Sequence, residues 1–503
     1  MSLIKLSGAK PEAEVQFAEK DLEIAMALIK LSGAKPEAEV QFAEKDLAIQ
    51  RLLQAAALLE FGTQRSKANP KFALMLVRLY FRLGAGSLAI RAYQRLGIKQ
   101  IQGDTLGYML FDRISTLHPH PVSGSSSIED DMDPSDQLRK MQGLYRRQRE
   151  QIRTSIWRSF EHGSYDSIFQ LMEVSDKLSR STAAAMMTIE LSRITRFIDP
   201  KAAQHKISLG YNTLSTDPLL QEYSDNSDYT SFPNFETSAS APFEMYTRPG
   251  PGPSSDRYRV MLLVDLLWMV VTCHPNHVTQ KTCLLLDLQT SIRAVEQLLP
   301  DTMTGNCLTY PERHYIFTAS KLARLVLAHF DPHSPPPGEL LSHTVETVTE
   351  GVLTSRDLID QINVDDTHYF PGFLHTLHPL YMAHDLASLI VAVSHFIKQS
   401  PYAGIRATHE SSDVYQELAK QLQSRVSEKA EAIRNRLNAG SWLDFIMDQV
   451  RIEDEPTNNP RADPGSKIAV LFDEKPAFIE NFAAELLDSW RESTLGLASL
   501  QSL

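Results

Sequence analysis

Cys273, His274, His277 and Cys283 bring two thiols and two imidazoles within one short stretch, the donor types that hold zinc tetrahedrally. No paired C-x-x-C accompanies them, and both cysteines fall on apolar helical patterns where a free thiol behaves as a small hydrophobe, so the reading here is core rather than ligand. His375, His378 and His384 recur in HTLHPLYMAHD, with Pro379 expected to interrupt a helix between them. Apart from Asp385 no acidic group stands by to orient them, and they read as core or surface histidines. Nucleotide-binding glycine patterns, the nucleophile elbow G-x-S-x-G and the zinc motif H-E-x-x-H are all missing. The sequence therefore offers no catalytic, cofactor-binding or metal residue set.

The strongest charge feature is Arg139 to Arg158, with seven basic residues against the single acid Glu150. Arg146, Arg149 and Arg153 fall along one helical side, while Leu138, Met141, Leu144, Tyr145, Ile152 and Ile156 form an apolar stripe on another. Such a face could meet ribosomal RNA or an acidic partner; equally it could be solvated and balanced by the acids between Ile128 and Asp136. The chain as a whole is acidic, 50 basic against 62 acidic residues for a net charge of −12, which argues against a general DNA or membrane-surface binder. Three cysteines are too few for a disulfide scaffold and suit a reducing compartment, so a cytoplasmic setting is expected.

The elements that must carry these residues are helical. Residues 3–22 recur unchanged as 28–47, an offset of 25 that is no common helical-repeat period, so residues 1–47 read as a duplicated, partly helical segment and a candidate gene-model artefact. From Asn69, Phe72, Leu76, Leu79 and Tyr80 form one stripe, Gly84 turns the chain, and Leu88, Ala89, Ala92, Tyr93 and Leu96 form the next. That is a tetratricopeptide-like pair, in which small residues let two helices approach. A weaker second instance runs through Trp157, Phe160, Gly163, Tyr165, Ile168, Leu171 and Met172. Helical patterns continue to Arg196 and resume at 257–273, 277–299, 311–330, 340–353, 369–399, 413–438 and 476–500, with no alternation fit for a sheet. Two stretches resist folding. Ser123 to Asp136 is Ser-rich and acidic; Gly210 to Asp256 holds six prolines, eight serines and seven acids and reads as a disordered linker. The expected architecture is an all-α helical-pair solenoid: 1–47 duplicated, 48–209 helical repeats, 210–256 linker, 257–503 C-terminal helices.

The block Leu96-Gly-Ile-Lys-Gln-Ile-Gln-Gly-Asp-Thr-Leu-Gly-Tyr108, placed directly after the helical pair, carries an I-Q-x-D-T-I/L-G-Y pattern that resembles the auxiliary subunits of the NatB N-terminal acetyltransferase complex. The stretch from Trp157 to Phe169, with Lys177-Leu-Ser-Arg-Ser and Glu190-Leu after it, is similar to the same family. Motif-level similarity covers about Ala48 to Arg196, and it is most like the C-terminal portion of fungal-type members. Family members carry a long helical array ahead of this region, where the duplicated segment stands here, so the resemblance implies a piece of a longer scaffold. Within the block, Asp104 reads as a helix N-cap and Gly107 as the small residue that lets Tyr108 pack closely, in a role either structural or in partner contact.

The resemblance also implies function. It predicts a non-catalytic scaffold for a small acetyltransferase subunit, which would itself hold acetyl-CoA, modify nascent chains beginning Met-Asp, Met-Glu, Met-Asn or Met-Gln, and be placed near the ribosome exit. The residues agree with that division of labour. Acetyltransferases commonly cradle the pyrophosphate on a Q/R-x-x-G-x-G/A turn. The nearest approaches, Gln94 to Lys99 and Gln100 to Thr105, both fail at the last position and neither follows a strand. The rival expectation is a generic helical-repeat adaptor with no acetyltransferase link, which helical pairs alone support equally.

Overall fold

The computed structural model describes residues 42–99, 101–117, 133–198, 222–229, 250–273, 278–304, 307–330, 337–362, 374–399, 406–451 and 475–498, with Ala25, Thr247, Arg248 and Val364. Nearly all of the duplicated segment and most of 210–256 lie outside them. Among the described residues the structure is all-α, with one isolated bridge, Ser181 to Ser224, and no strand. In order, the helices are α1 (Phe42–Arg65), α2 (Pro70–Arg82), α3 (Gly86–Arg95), α4 (Ile101–Leu106), α5 (Tyr108–Phe111), α6 (Ile114–Leu117), α7 (Pro134–Glu161), α8 (Tyr165–Ser179) and α9 (Thr182–Ile198). They continue as α10 (Ser255–Thr272), α11 (Val278–Thr304), α12 (Tyr310–Ala328), α13 (Pro337–Asp360), α14 (Leu374–Gln399), α15 (Arg406–Asn438), α16 (Ser441–Arg451) and α17 (Pro476–Ala498).

They divide into two compact units that do not follow the expected boundaries. One unit comprises Met1–Ile98, Tyr229–Pro249 and Leu437–Glu492; the other comprises Lys99–Asp228, Gly250–Arg436 and Ser493–Leu503. Both draw on sequence from either side of 210–256, because apolar helix faces choose partners regardless of separation along the chain. Thus α16, a helix the periodicity did not single out, packs on α1.

In the first unit the expected helical pair is present. Asn69 caps α2, its Oδ1 accepting from the Lys71 amide at 3.1 Å, and Pro70 supplies the preset φ of a first helical turn. Phe72, Leu76, Leu79 and Tyr80 are buried, as are Leu88, Ala89, Ala92 and Tyr93, with Leu96 half-buried. Gly84 makes the turn at φ +73°, and the Ala85 amide closes it onto the Tyr80 carbonyl at 2.8 Å. The pair is sealed by α17: Trp490 Nε1 donates to the Leu83 carbonyl at 2.9 Å, and Ser87 to Ser489 Oγ at 2.7 Å.

In the second unit α9, α10, α12 and α14 form the core. The α14 helix runs unbroken through Pro379, which corrects the expected interruption. Pro379 is only the sixth residue of the helix, so it forfeits a single backbone bond next to a turn whose amides have no intrahelical acceptor anyway. The stretch Thr376–Gln399 is long and apolar enough to cross a membrane, yet 78 % of its most apolar window is buried in the fold. Ser123 to Asp136 is corrected at its end: Asp133 caps α7 with Oδ1 accepting from Ser135 N at 2.8 Å, and Pro134 to Asp136 already belong to the helix.

The two kinds of glycine give opposite expectations. At φ +73° a branched side chain is strained, so Gly84→Val should cost about 1–3 kcal/mol. Gly143 lies within α7 with open space where a Cβ would stand, so Gly143→Ala should add about 0.5–1 kcal/mol by restricting the unfolded chain. Urea unfolding midpoints that move in the same direction for both variants would refute the left-handed turn.

Candidate interaction site

The block singled out in sequence proves to be a clamp. Asp104 is the fourth residue of α4, buried, and not an N-cap. Its carboxylate faces away from the helix terminus and accepts instead from three side chains: Tyr145 Oη of α7 at 2.7 Å, Asn226 Nδ2 at 2.8 Å, and the Ser181 hydroxyl that precedes α9. A carboxylate with three donors can bind elements together that apolar contact alone would let slide. Gly107 behaves as expected: a Cβ there would overlap the Gly103 carbonyl oxygen and the Met187 methyl group. Tyr108 is buried, and its hydroxyl donates to the Asp228 carbonyl at 3.2 Å.

Residues 222–229 complete the clamp, which corrects the expectation of disorder through 210–256 at these positions. Ser224 N donates to the Arg180 carbonyl at 2.7 Å, the Thr182 amide returns to Ser224 O at 3.0 Å, and Asp228 N reaches Thr105 O at 2.8 Å. The Tyr223 ring meets Tyr258 edge-on, centroids 4.7 Å apart. Composition counts acids and serines as solvated, but here their backbone groups and short side chains find fixed partners, and two tyrosines supply apolar area.

Below the clamp lies an ionic network that the sequence gave little sign of. Arg113 is fully buried and holds φ +66°, a strained conformation for any residue with a Cβ. Its guanidinium grips Glu312 with two bonds, Nε to Oε1 at 2.9 Å and Nη2 to Oε2 at 3.0 Å, and reaches the Pro251 carbonyl at 2.8 Å. Arg257 of α10 contacts both Asp112 and Glu312. Burial alone would raise the pKa of Glu312, but Arg113 and Arg257 outweigh it and hold the carboxyl well below the usual range. A neighbouring set joins Arg196 to Asp265 and Asp385, with Tyr315 donating to Asp385 at 2.8 Å.

His378 sits between them with both ring nitrogens engaged, Nδ1 by Thr116 Oγ1 at 3.2 Å and Nε2 by Thr309 Oγ1 at 2.8 Å. Burial pushes its pKa down to about 3; Glu312 opposes that and Arg113, Arg193 and Arg257 reinforce it. His378 and His384 are thus core histidines; the side chain of His375 lies outside the described residues. The zinc alternative finds no support in the placement of its thiols: Cys283 is exposed on α11 instead of on a buried face, and Cys273 ends α10. Among the described residues no group of three or more metal-competent side chains gathers.

The arginine helix is α7. Leu138, Met141 and Tyr145 are buried and Leu144, Ile152 and Ile156 half-buried, so the apolar stripe is as expected. Arg146 and Arg153 are exposed and Arg149 half-buried; the acids Glu129, Asp130 and Asp131 proposed to balance them lie outside the described residues. The weaker helical pair is corrected. Trp157, Phe160, Tyr165, Phe169 and Met172 do not fill a gap between helices but stand in solvent, 54–71 % exposed, at the end of the α7–α8 hairpin. Gly163, at φ +68°, turns that hairpin.

Residues 10–229 match the model of the family described as N-acetyltransferase B complex (NatB) non catalytic subunit. That span is similar to the auxiliary subunits of the NatB complex. The chain is similar to the N-terminal acetyltransferase B complex subunit arm1 of Schizosaccharomyces pombe, 25 % identical over 254 residues that make up 49 % of this chain and 27 % of that protein. Subunit MDM20 of Saccharomyces cerevisiae is 27 % identical over 184 residues, 36 % of this chain and 22 % of its own length. The human N-alpha-acetyltransferase 25, NatB auxiliary subunit, is 40 % identical over 73 residues, 14 % of this chain and 8 % of its length. In fold, the chain matches a structure of the NatB acetyltransferase complex bound to a bisubstrate inhibitor, with a TM-score of 0.53 at 13 % identity, covering 90 % of this chain and 56 % of that one. The aligned segments span about a quarter of the two yeast relatives' length. The all-α class expected from the sequence is the class observed among the described residues.

Two outcomes follow for the second unit. Asp104→Ala strands two buried donors, Tyr145 and Ser181, and a half-buried one, Asn226, and should cost about 2–4 kcal/mol, while Asp104→Asn, which retains an acceptor oxygen, should cost less. Retention of full stability by the alanine variant in thermal melts would refute the clamp. Because the folded pKa of His378 lies below its unfolded value, it adds stability above about 6.5 and loses it as pH falls toward 3. Between pH 7 and 5 that loss is about 2 kcal/mol, whereas Glu312, with its depressed pKa, begins to lose its contribution only below about 4.5. His378→Gln should flatten the stability profile across pH 5–7 in chemical denaturation, and an unchanged slope would show that the histidine is not held neutral.

Proposed function

We propose that the chain is a non-catalytic auxiliary subunit, or a part of one, of an N-terminal acetyltransferase of the NatB type. It serves as a helical scaffold for a small catalytic subunit. The observation that carries this reading is the family match across 10–229, the span that contains the helical pair, the Asp104 clamp and the α7–α8 hairpin. In this reading acetyl-CoA is held by the catalytic partner. Gln94 to Lys99 and Gln100 to Thr105 do not offer a pyrophosphate cradle: Gly97 ends α3, and Gly103 lies inside α4 with Met141 packed where a Cβ would stand. The substrates would be nascent chains beginning Met-Asp, Met-Glu, Met-Asn or Met-Gln, and the site of action the cytoplasm.

The test is co-expression with a small NatB-type catalytic subunit. The pair should co-elute at equal stoichiometry and acetylate a Met-Asp peptide, and the chain alone should neither bind acetyl-CoA nor turn over. Turnover by the isolated chain would overturn the scaffold reading. Failure to capture the catalytic subunit would favour a generic helical adaptor.

Arg146, Arg149 and Arg153 are proposed as contacts to the ribosome or to an acidic protein partner, and the ribosome alternative has its own test. Replacing all three by Gln should weaken ribosome co-sedimentation and flatten its salt dependence, since each lost phosphate contact lowers the slope by about 0.7–0.9. Folding should shift by less than about 0.5 kcal/mol, because the changes lie off the apolar stripe. Unaltered sedimentation with intact helices would leave the arginines as a solvated face.

A further inference from the structure

The α7–α8 hairpin presents the largest connected set of exposed apolar side chains among the described residues, and its composition points to a protein partner. Single exposed hydrophobics are ordinary, whereas a contiguous patch is not. Trp157 stacks on Phe160 at 5.9 Å between centroids, and Phe160 meets Tyr165 edge-on at 6.5 Å across the turn. Tyr165, Phe169 and Met172 then follow at helical spacing along the outer face of α8, each more than half exposed. On α7 the same face continues toward the N-terminus: Arg146, Arg149, Arg153, Trp157 and Phe160 recur at intervals of 3, 4, 4 and 3, one stripe that passes from guanidinium to aromatic. Arg146 and Arg153 form no ion pair among the described residues.

Two classes of partner use arginine and aromatic side chains together, and the carboxylates decide between them. A single-stranded RNA needs a groove of net positive charge. Here Glu161 and Asp166 are exposed at the aromatic tip itself, where each would repel a phosphate backbone, and further along α8 Glu173 and Asp176 pair with Lys177 and Arg180 and leave no net positive track. Aromatic anchors with arginine beside them and a rim of mixed charge are instead the composition of a protein interface. The arginine stem calls for carboxylates on the partner, and the tip for an apolar surface.

We propose that the α7–α8 hairpin is a docking arm for the catalytic acetyltransferase subunit, gripping an apolar patch with Trp157, Phe169 and Met172 and a neighbouring acidic patch with Arg153 and Arg146. This rests on the scaffold reading above. Its support is that the patch falls within the span matched by the family model of the NatB non catalytic subunits, and that Arg146 and Arg153 form no ion pair among the described residues. Phe160 stacks on Trp157 and meets Tyr165 edge-on across the turn, so the aromatic side chains of the tip are in contact with one another before a partner binds.

The experiment uses the full chain co-expressed with the catalytic subunit, with affinity measured by biolayer interferometry. The triple variant W157S/F169S/M172S removes exposed side chains only, so its circular dichroism and melting temperature should match the parent. Its affinity for the catalytic subunit should fall at least tenfold, and R153E should weaken binding with a reduced dependence on salt. Parental affinity in the triple variant would overturn the docking arm while leaving the scaffold reading in place. No binding by the parent chain itself would overturn both. Loss of ribosome sedimentation by the triple variant in the absence of the catalytic subunit, with the affinity for that subunit unchanged, would assign the arm to RNA and overturn the proposal.

Discussion

The second unit is organised around one buried carboxylate. Glu312 receives two bonds from Arg113, a contact from Arg257 and the amide of Thr309 at 2.8 Å, so one side chain joins α12 to the loop after α5, to α10 and to its own helix start. Taking these charges out of water is expensive, and an ion pair in the interior repays its desolvation only when its geometry is close to ideal. The bidentate grip meets that condition. It also offsets the left-handed backbone of Arg113, whose guanidinium in that conformation reaches both Asp112 and Glu312. Such a network adds little stability over a well-packed apolar core, but it permits one arrangement of helices where apolar surfaces permit several.

A scaffold gains from that trade. Helix pairs in a solenoid meet along apolar stripes that slide at small cost, and a partner bound across several helices requires their spacing to hold. The Asp104 clamp does at the surface of the unit what Glu312 does in its interior: it ties α4, α7 and the start of α9 to residues 222–229 through directional bonds. The α7–α8 hairpin springs from this fixed base. Tyr145, whose hydroxyl is held by Asp104, lies one residue before Arg146, so the exposed stripe begins at the point where the helix is most firmly anchored.

What was legible in the sequence follows from how local each cause is. Gly84 and the stripes about it specify a helical pair within thirty residues, and the Thr309-Tyr-Pro-Glu312 capping box is readable as a helix start. At Asp104 the sequence signals an acid in a special place but not its partners, because a cap is a local arrangement while Tyr145, Ser181 and Asn226 are 41, 77 and 122 residues away. Arg113 and Arg257 show nothing in sequence that separates them from surface arginines; only the fold brings them to Glu312. The hairpin misled in the opposite sense. Its aromatic spacing is that of a packed pair, and periodicity reports which residues share a face without reporting whether anything covers it.

That last distinction bears on function. Within the first unit the aromatics of the pair are covered by α1 and α17, and the same spacing in the hairpin finds no helix over it among the described residues. Tyr165, Phe169 and Met172 are exposed along α8, while Ile168, Leu171, Val174 and Leu178 are half-buried or buried and hold the hairpin together. The hairpin is therefore closed on itself without the outer stripe. These side chains are not needed for the hairpin's own packing, and beside them Arg146 and Arg153 form no ion pair among the described residues. A solvated helix would carry lysine and glutamate at those positions at no cost in stability. Tryptophan and phenylalanine there raise the risk of aggregation, and a partner that buries them is the physical condition under which the risk is offset.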